Sequence, residues 1–352
     1  MKDFVFIKND FLVPLPDSIS LCERDEFEKW GENSKQGEKF ALISNEKSPN
    51  AQIYAPEINF YLKNSQDECL DKAKNTLLLY EVRASLYDLG LDLEYDKQVG
   101  ANVIIASAQD KGALCEFLGQ NGFKALQVSE VLGVYGSVGE LGVITQEKGA
   151  ELDIACDFFF YDEFKTSFDK QSGCYDLRKF SDERALLEFL QAKSPKYRYT
   201  NYINYDSSIC QYDKRREECC GKCAELCPSV AILKDESKRE LVFSQVDCVG
   251  CGDCVSVCPS GSLEFTPLPS ASFWALLDFY KGKKILLVDE KFTLESLEIS
   301  LDKNVLPLVL NSAQLNETTL LALLQASGAN ITLCATRLSK GNEDAIALLN
   351  AI

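Results

Sequence analysis

The residues with the plainest chemistry in this chain are sulfurs. From position 248 it reads Cys248-x2-Cys251-x2-Cys254-x3-Cys258-Pro259. A cubane of iron and sulfide needs a thiolate at each iron corner, and two-residue gaps let one loop present three of them from one side. Gly250 and Gly252 leave room for backbone amides to approach such a cluster and hydrogen-bond its sulfurs, and Pro259 turns the chain away after the last ligand. An imperfect copy precedes this run, Cys220-x2-Cys223-x3-Cys227-Pro228, with Glu217 where a first cysteine is expected. Cys210 is the preferred substitute because, like Cys248, it ends a strand-like segment. Cys219 is its rival, although neighbouring residues are hard to aim at two corners of one cube. Zinc sites favour two separated CxxC knuckles, so the spacing prefers iron–sulfur over a pair of four-cysteine zinc sites.

The rest of the composition narrows the alternatives. The chain of 352 residues has fifteen cysteines, no histidine and one methionine, Met1. That excludes a Ser-His-Asp triad, a Cys-His pair, a Rieske centre, and histidine- or methionine-ligated haem. Disulfides are the bland reading of so many thiols. The opening MKDFVFIKNDFLVPLP, however, has neither an apolar core segment nor a small-residue cleavage site. An unexported, cytoplasmic chain in a reducing compartment is therefore expected. No run of about eighteen apolar residues occurs, so no membrane insertion is expected. A formal charge of −17 argues against nucleic acid or an anionic membrane surface as partner.

The elements that must position these cysteines follow from periodicity. Residues 1–195 read as α/β, with strand-like KFALIS, NVIIAS, KALQVS and LDIACDFFFYD. Helical periodicity runs through QDECLDKAKNTLLLYEVRASLYDLGL, DKGALCEFLGQNGF and DERALLEFLQAK, the last ending before Pro195. Tyrosine-rich PKYRYTNYINYDSSIC then opens a central module, 196–268, that closes at FTPLPS. Over 269–352 the α/β rhythm returns, with strands KKILLVDE, VLPLVL and NITLCAT and helices ETTLLALLQASG and NEDAIALLNAI. The expected fold class is α/β flanks, 1–195 and 269–352, around a central α+β module; the two flanks are either separate domains or one domain interrupted by the module. The module repeats internally: CPSVAIL at 227–233 aligns with CPSGSLEF at 258–265, and INYDSSIC at 203–210 aligns loosely with VFSQVDC at 242–248.

These motifs closely resemble bacterial ferredoxins with two [4Fe-4S] clusters, which implies a ferredoxin-like layout for 196–268. In that family the fourth cysteine of each motif ligates the other cluster. Carried over, this implies Cys210, Cys220, Cys223 and Cys258 on one cluster and Cys248, Cys251, Cys254 and Cys227 on the other. The first motif departs from the family through its nine-residue gap between Cys210 and Cys220. More broadly, the layout and the tail from VLPLVL to LLNAI are similar to larger 4Fe-4S dicluster proteins associated with formate dehydrogenases. The resemblance implies electron transfer, with formate dehydrogenase or a similar oxidoreductase as redox partner.

Other features have plain readings beside sharper ones. Gly133, Gly136, Gly139 and Gly142 in GVYGSVGELG do not form a dinucleotide fingerprint, and a turn-rich loop is preferred to a phosphate cradle. Lys214, Arg215 and Arg216 lie in the long first ligand loop, where they either raise a cluster's potential or form a solvated face. Outside the eight ligands, Cys115, Cys156 and Cys334 read as small buried hydrophobes, while Cys22 and Cys174 have polar flanks. The tyrosines of YRYTNYINY are expected to pack the module against its neighbour. Together these observations favour a non-catalytic electron carrier or accessory subunit. The alternatives are an oxidoreductase subunit with a flavin or nucleotide in the α/β part, and a maturation or interaction protein with structural clusters.

Overall fold

The computed structural model describes residues 3–6, 19–21, 42–45, 51, 53–89, 93–147, 149–162, 168 and 170–351. Of the expected segments, residues 39–41 of KFALIS, the end of the long helix at 90–91, and Cys22 lie outside the described residues. Backbone packing divides the chain into two compact units. One joins Met1–Leu91, Cys251–Val257 and Glu264–Ile352; the other joins Asp92–Gly250 and Cys258–Leu263.

The unit containing residues 92–250 is built on a parallel sheet in the order Cys174–Asp176, Phe158–Tyr161, Asn102–Ala106, Lys124–Val128. The two central strands, FFFY and NVIIA, are apolar runs because both faces of the sheet are covered. On one face Val103, Ile105, Phe158 and Phe160 meet Leu114 and Leu118 of helix Gly112–Gln120 and Leu186 and Leu190 of helix Glu183–Lys193. That second helix starts where the Asp182 side chain accepts a hydrogen bond from Ala185 N at 2.8 Å. On the other face Ile104, Phe159 and Tyr161 pack with Leu141 and Val143 of an antiparallel meander, Val131–Tyr135, Leu141–Glu147 and Ala150–Cys156.

The segment LDIACDFFFYD is not one strand. It bends at Asp157, whose buried carboxylate accepts hydrogen bonds from Gly100 N at 2.9 Å and Asn102 N at 2.8 Å. The bend sends Ala150–Cys156 into the meander and Phe158–Tyr161 into the parallel sheet. Gly136 and Gly139 have φ of 82° and 83° in the turn that joins the first two meander strands, a conformation suited to glycine. Here the glycine-rich stretch makes a hairpin.

In the same unit, strand Lys196–Thr200 runs antiparallel to Glu94–Gln98, and the chain continues into the cysteine-dense segment. Strand Ile203–Tyr205 leads through the turn Ser207–Ile209 to Cys210. Helix Lys222–Leu226 precedes the antiparallel hairpin Ile232–Asp235 and Glu240–Phe243, after which the turn Gln245–Asp247 leads to Cys248.

The other unit carries two parallel sheets, one ordered Ile19–Leu21, Asp3–Phe6, Leu42–Ser44, Ile53–Tyr54. The second is ordered Val305–Leu310, Lys284–Asp289, Thr332–Cys334. Its central strand KILLVD is buried from Ile285 onward. Ile58 and Tyr61 of helix Pro56–Asn64 and Leu79 and Tyr80 of helix Cys69–Leu89 share one core with Leu287, Leu308, Leu320 and Leu323. Helix Glu317–Ser327 starts with a capping box at Asn316 and ends at Gly328 in the left-handed region; Lys340–Leu349 starts with a capping box at Ser339. Among the described residues no helix is long and apolar enough to cross a membrane.

Candidate metal centre

The two copies of the repeat have matching local structure. Cys210 and Cys248 each follow a one-turn 3-10 helix and adopt extended backbone, φ −65° and ψ 136° against φ −72° and ψ 126°. Each copy then has a glycine at positive φ, Gly221 at 126° and Gly252 at 85°, opening a short helix, Lys222–Leu226 or Asp253–Ser256. Each ends in Cys-Pro-Ser with the thiol near the serine hydroxyl. Cys227 Sγ is 3.5 Å from Ser229 Oγ, and Cys258 Sγ is 3.7 Å from Ser260 Oγ. In this alignment Cys210 occupies the place of Cys248, while Cys219 is exposed.

The first ligand set gathers within one unit. Burial of Cys223, together with the nearby thiols of Cys258, Cys220 and Cys210, pushes its thiol up to about 12. Cys210 and Cys223 are buried and Cys220 and Cys258 half-buried; thiolates beside Cys223 oppose its ionisation, and a cationic iron core would relieve that opposition. Cys210 differs from Cys223. Burial pushes its thiol up, but the Tyr205 hydroxyl, the amides of Tyr212 and Asp213 and the Ser262 hydroxyl hydrogen-bond to it and bring it below its ordinary value. The Tyr212 amide donates to Cys210 Sγ at 3.4 Å. Burial and the hydrogen bond to Cys210 in turn hold the Tyr205 phenol protonated, and its hydroxyl also faces Asp213 Oδ2 at 3.2 Å.

The long first loop is pinned beside these thiols. Arg215 Nε donates to Cys210 O at 3.0 Å, and Lys214 N donates to Arg239 O at 2.8 Å. Arg216 is exposed, and the Lys214–Glu240 ion pair at 3.6 Å is largely solvated. Lys234 pairs with Glu225 at 2.7 Å and Glu218 at 3.1 Å, and Lys234 and Arg239 both lie 5.7 Å from the Tyr212 ring centroid. A Cβ on Gly221 would stand 2.3 Å from Lys234 Cε, so glycine leaves that lysine its path. The Tyr212 side chain is fully buried, and its hydroxyl has no acceptor among the described residues. A buried donor of this kind fits an anionic sulfide core better than an empty protein interior.

The second loop is held differently. Within its unit, Tyr202 stacks so closely over Gly250 that a Cβ there would lie 2.9 Å from the ring. Gly250 also has φ of 63°, and Gln245 Nε2 donates to Ile203 O at 3.0 Å. The Asp247 carboxylate accepts from Ser172 N at 2.6 Å and from the Ser244 hydroxyl. Cys248 and Cys227 belong to this unit, whereas Cys251 and Cys254 belong to the unit that carries the C-terminal sheet. There the segment 251–257 packs at the carboxyl end of that sheet. A Cβ on Gly252 would lie 3.0 Å from Gln314 N, and one on Gly341 would lie 2.4 Å from Ser256 Cβ. The Ser339 hydroxyl donates to Ser256 Oγ at 3.2 Å, and Asp253 forms a two-point ion pair with Arg337.

Among the described residues no three or more Cys, Asp or Glu side chains stand close enough to share one metal ion. An all-thiol donor set is the chemistry by which iron–sulfur clusters are held. Residues 216–262 match the family model of the 4Fe-4S dicluster domain. The match takes in every expected ligand except Cys210, which lies outside it and is near enough to Cys223 to raise that thiol. No curated protein matches the chain. Iron–sulfur electron transfer is thus the chemistry that this domain supplies.

Among the remaining cysteines, Cys156 and Cys174 are buried, Cys115 and Cys334 are half-buried, and Cys69 is exposed. Burial, with help from Asp157, pushes the Cys156 thiol up to about 12, which suits a small hydrophobe. Despite its polar flanks, Cys174 packs into the core beside Phe159. Sequence reasoning missed Tyr205, Asp253 and Arg337. The alternation in INYDSSIC was available for Tyr205, but no local signal connects Asp253 to Arg337.

Proposed function

We propose that this protein relays single electrons through two [4Fe-4S] clusters and makes or breaks no substrate bond itself. Cys210, Cys220, Cys223 and Cys258 hold one cluster in this reading, and Cys248, Cys251, Cys254 and Cys227 hold the other, in a ferredoxin-like module over 196–268. The observation that carries it is the gathering of Cys258, Cys220 and Cys210 near the buried Cys223, all but Cys210 in a segment that matches the dicluster domain. When bound, each cluster gains and loses one electron; the chain supplies thiolates, hydrogen bonds to sulfur, and exclusion of water. The proposed location is the cytoplasm. The proposed partner is a larger oxidoreductase, with formate dehydrogenase first because the layout resembles proteins associated with it. Anaerobic purification with iron and sulfide quantitation, then capture with formate dehydrogenase, tests both parts. Iron and sulfide in equal amount with co-purification supports the reading. Zinc without sulfide overturns the first part, and capture no better than that of an unrelated protein overturns the second.

One cavity favours a second reading, an oxidoreductase subunit with an organic cofactor. A space of about 500 Å³ opens beside Cys248 and Val249, within the unit of residues 92–250. It is lined by Tyr175, Phe180, Phe189 and Tyr197, with Lys170 and Lys179 among its polar groups. That volume is within the usual range for small-molecule sites. A flavin band over the broad iron–sulfur absorption of the purified protein is the expected sign of this reading. A spectrum of clusters alone, unchanged by added flavin, counts against it.

A further inference from the structure

Within the C-terminal unit, the segment 251–257 occupies a position that parallel α/β sheets usually reserve for ligands. Strands Lys284–Asp289, Val305–Leu310 and Thr332–Cys334 run parallel, and the loops after their carboxyl ends form the crevice where such sheets take substrates and cofactors. Here those loops meet the chain's own cysteine-bearing segment. Gly252 lies against Asn311 and Gln314, and Ser256 lies against Ser339 and Gly341. A buried hydrogen-bond chain backs the contact. The Ser312 hydroxyl donates to Asp289 Oδ2 at 2.6 Å, Asn342 Nδ2 donates to Ser312 O at 3.0 Å, and the Ser339 hydroxyl caps the helix that carries Asn342.

At the rim of this contact is one complementary charge pair. Arg337 Nη1 donates to Asp253 Oδ2 at 2.9 Å and Nη2 to Asp253 Oδ1 at 2.8 Å. The carboxylate is nearly buried, with 11 % of its side chain exposed, and it sits in sequence between Cys251 and Cys254. The guanidinium is 59 % exposed, so water reaches its outer side while its inner edge is committed to the carboxylate. The thiol of Cys251 is close enough to act on the same guanidinium, which holds its proton more firmly, chiefly through Asp253.

Resting on the two-cluster reading, we propose that Arg337 is a positioning residue for redox. It neutralises Asp253 and thereby keeps the reduction potential of the cluster bound by Cys251 and Cys254 above the value that an unpaired acid would impose. The physical reason is simple. Reduction adds negative charge to the cluster, a nearby carboxylate opposes that addition, and a paired guanidinium cancels the opposition. An isolated buried carboxylate is also costly, so removing only the arginine should hurt more than removing both charges.

The test is an EPR-monitored redox titration of the full-length protein, purified without oxygen, with iron and sulfide quantified in each variant. Arg337→Gln should weaken one-electron reduction of one cluster about tenfold, a downward shift of about 59 mV, and leave the other cluster unchanged. Asp253→Asn should shift the same cluster upward. The double variant and Arg337→Lys should both return towards wild type. Opposite shifts on one cluster support the proposal, since a merely structural clamp would not change sign with charge. Shifts of the same sign, or none, with both clusters intact overturn it. If Arg337→Gln protein loses iron, retention in the double variant supports the proposal, and equal loss in the double variant overturns it. Wild-type protein that carries no iron–sulfur cluster overturns the underlying reading and this proposal with it.

Discussion

The two ligand loops share one pattern and are supported in opposite ways. The first, from Cys210 to Cys227, is wired to its own neighbourhood. The Tyr212 amide donates to the Cys210 sulfur, Tyr205 and Ser262 favour its thiolate, and Lys234 and Arg239 flank Tyr212. The second, from Cys248 to Cys258, is compact, and its middle is gripped by residues from the far end of the chain, Arg337, Ser339 and Gly341. A duplicated motif fixes the ligand spacing, while potential and stability are left to whatever packs on each copy.

The sharpest way to break this comparison is to remove the ligand that makes the first loop irregular. Cys210→Ser should lose about half of the iron and sulfide, as expected for one of two clusters, whereas Cys219→Ser should keep both. Metal analysis of the two proteins decides it, and the reverse pattern would make Cys219 the ligand. Next in size is Gly341→Ala. The added methyl collides with Ser256, and overpacking of this kind costs about 1–3 kcal/mol. Thermal unfolding should fall, and chelator should strip the variant faster. If neither changes, the grip on the second loop is not a support.

Tyr205→Phe removes a hydroxyl donor from the Cys210 sulfur and sharpens the contrast on the other side. A hydrogen bond that favours the more negative state by about 1 kcal/mol corresponds to about 40 mV for a one-electron couple. The first cluster should therefore drop in potential by that order while the second stays put. The smallest effect is expected from changing Lys214, Arg215 and Arg216 together to glutamate. Those side chains are at the surface or tied to backbone, so a modest downward shift should appear at low salt and fade at high salt. An identical titration at both salt concentrations would leave the run as ordinary surface.

The cluster motif is readable because its information is local: gaps of two and three residues, glycines and a proline are all visible in a dozen positions. Cys210 is readable only through the repeat, since its own gap of nine residues matches nothing nearby. Long-range relations are hidden. Asp253 and Arg337 are 84 residues apart, and no periodicity links them. LDIACDFFFYD reads as one strand because its apolar run is continuous. The bend depends on the Asp157 carboxylate capping amides more than fifty residues earlier. A composition break near 195 is evident in the sequence. Strand Lys196–Thr200 nonetheless pairs back with Glu94–Gln98, and Tyr199 stacks on Tyr95 at 5.8 Å. Cys174 has polar neighbours in sequence and apolar ones in space, because only the strand register puts it opposite Phe159.

The central claim is that eight cysteines cage two inorganic cores. EPR of the dithionite-reduced, anaerobically prepared protein tests it most directly. The account predicts signals from two reduced [4Fe-4S] centres, with one centre lost on changing Cys223 to serine. A silent spectrum from colourless, zinc-loaded protein would contradict it.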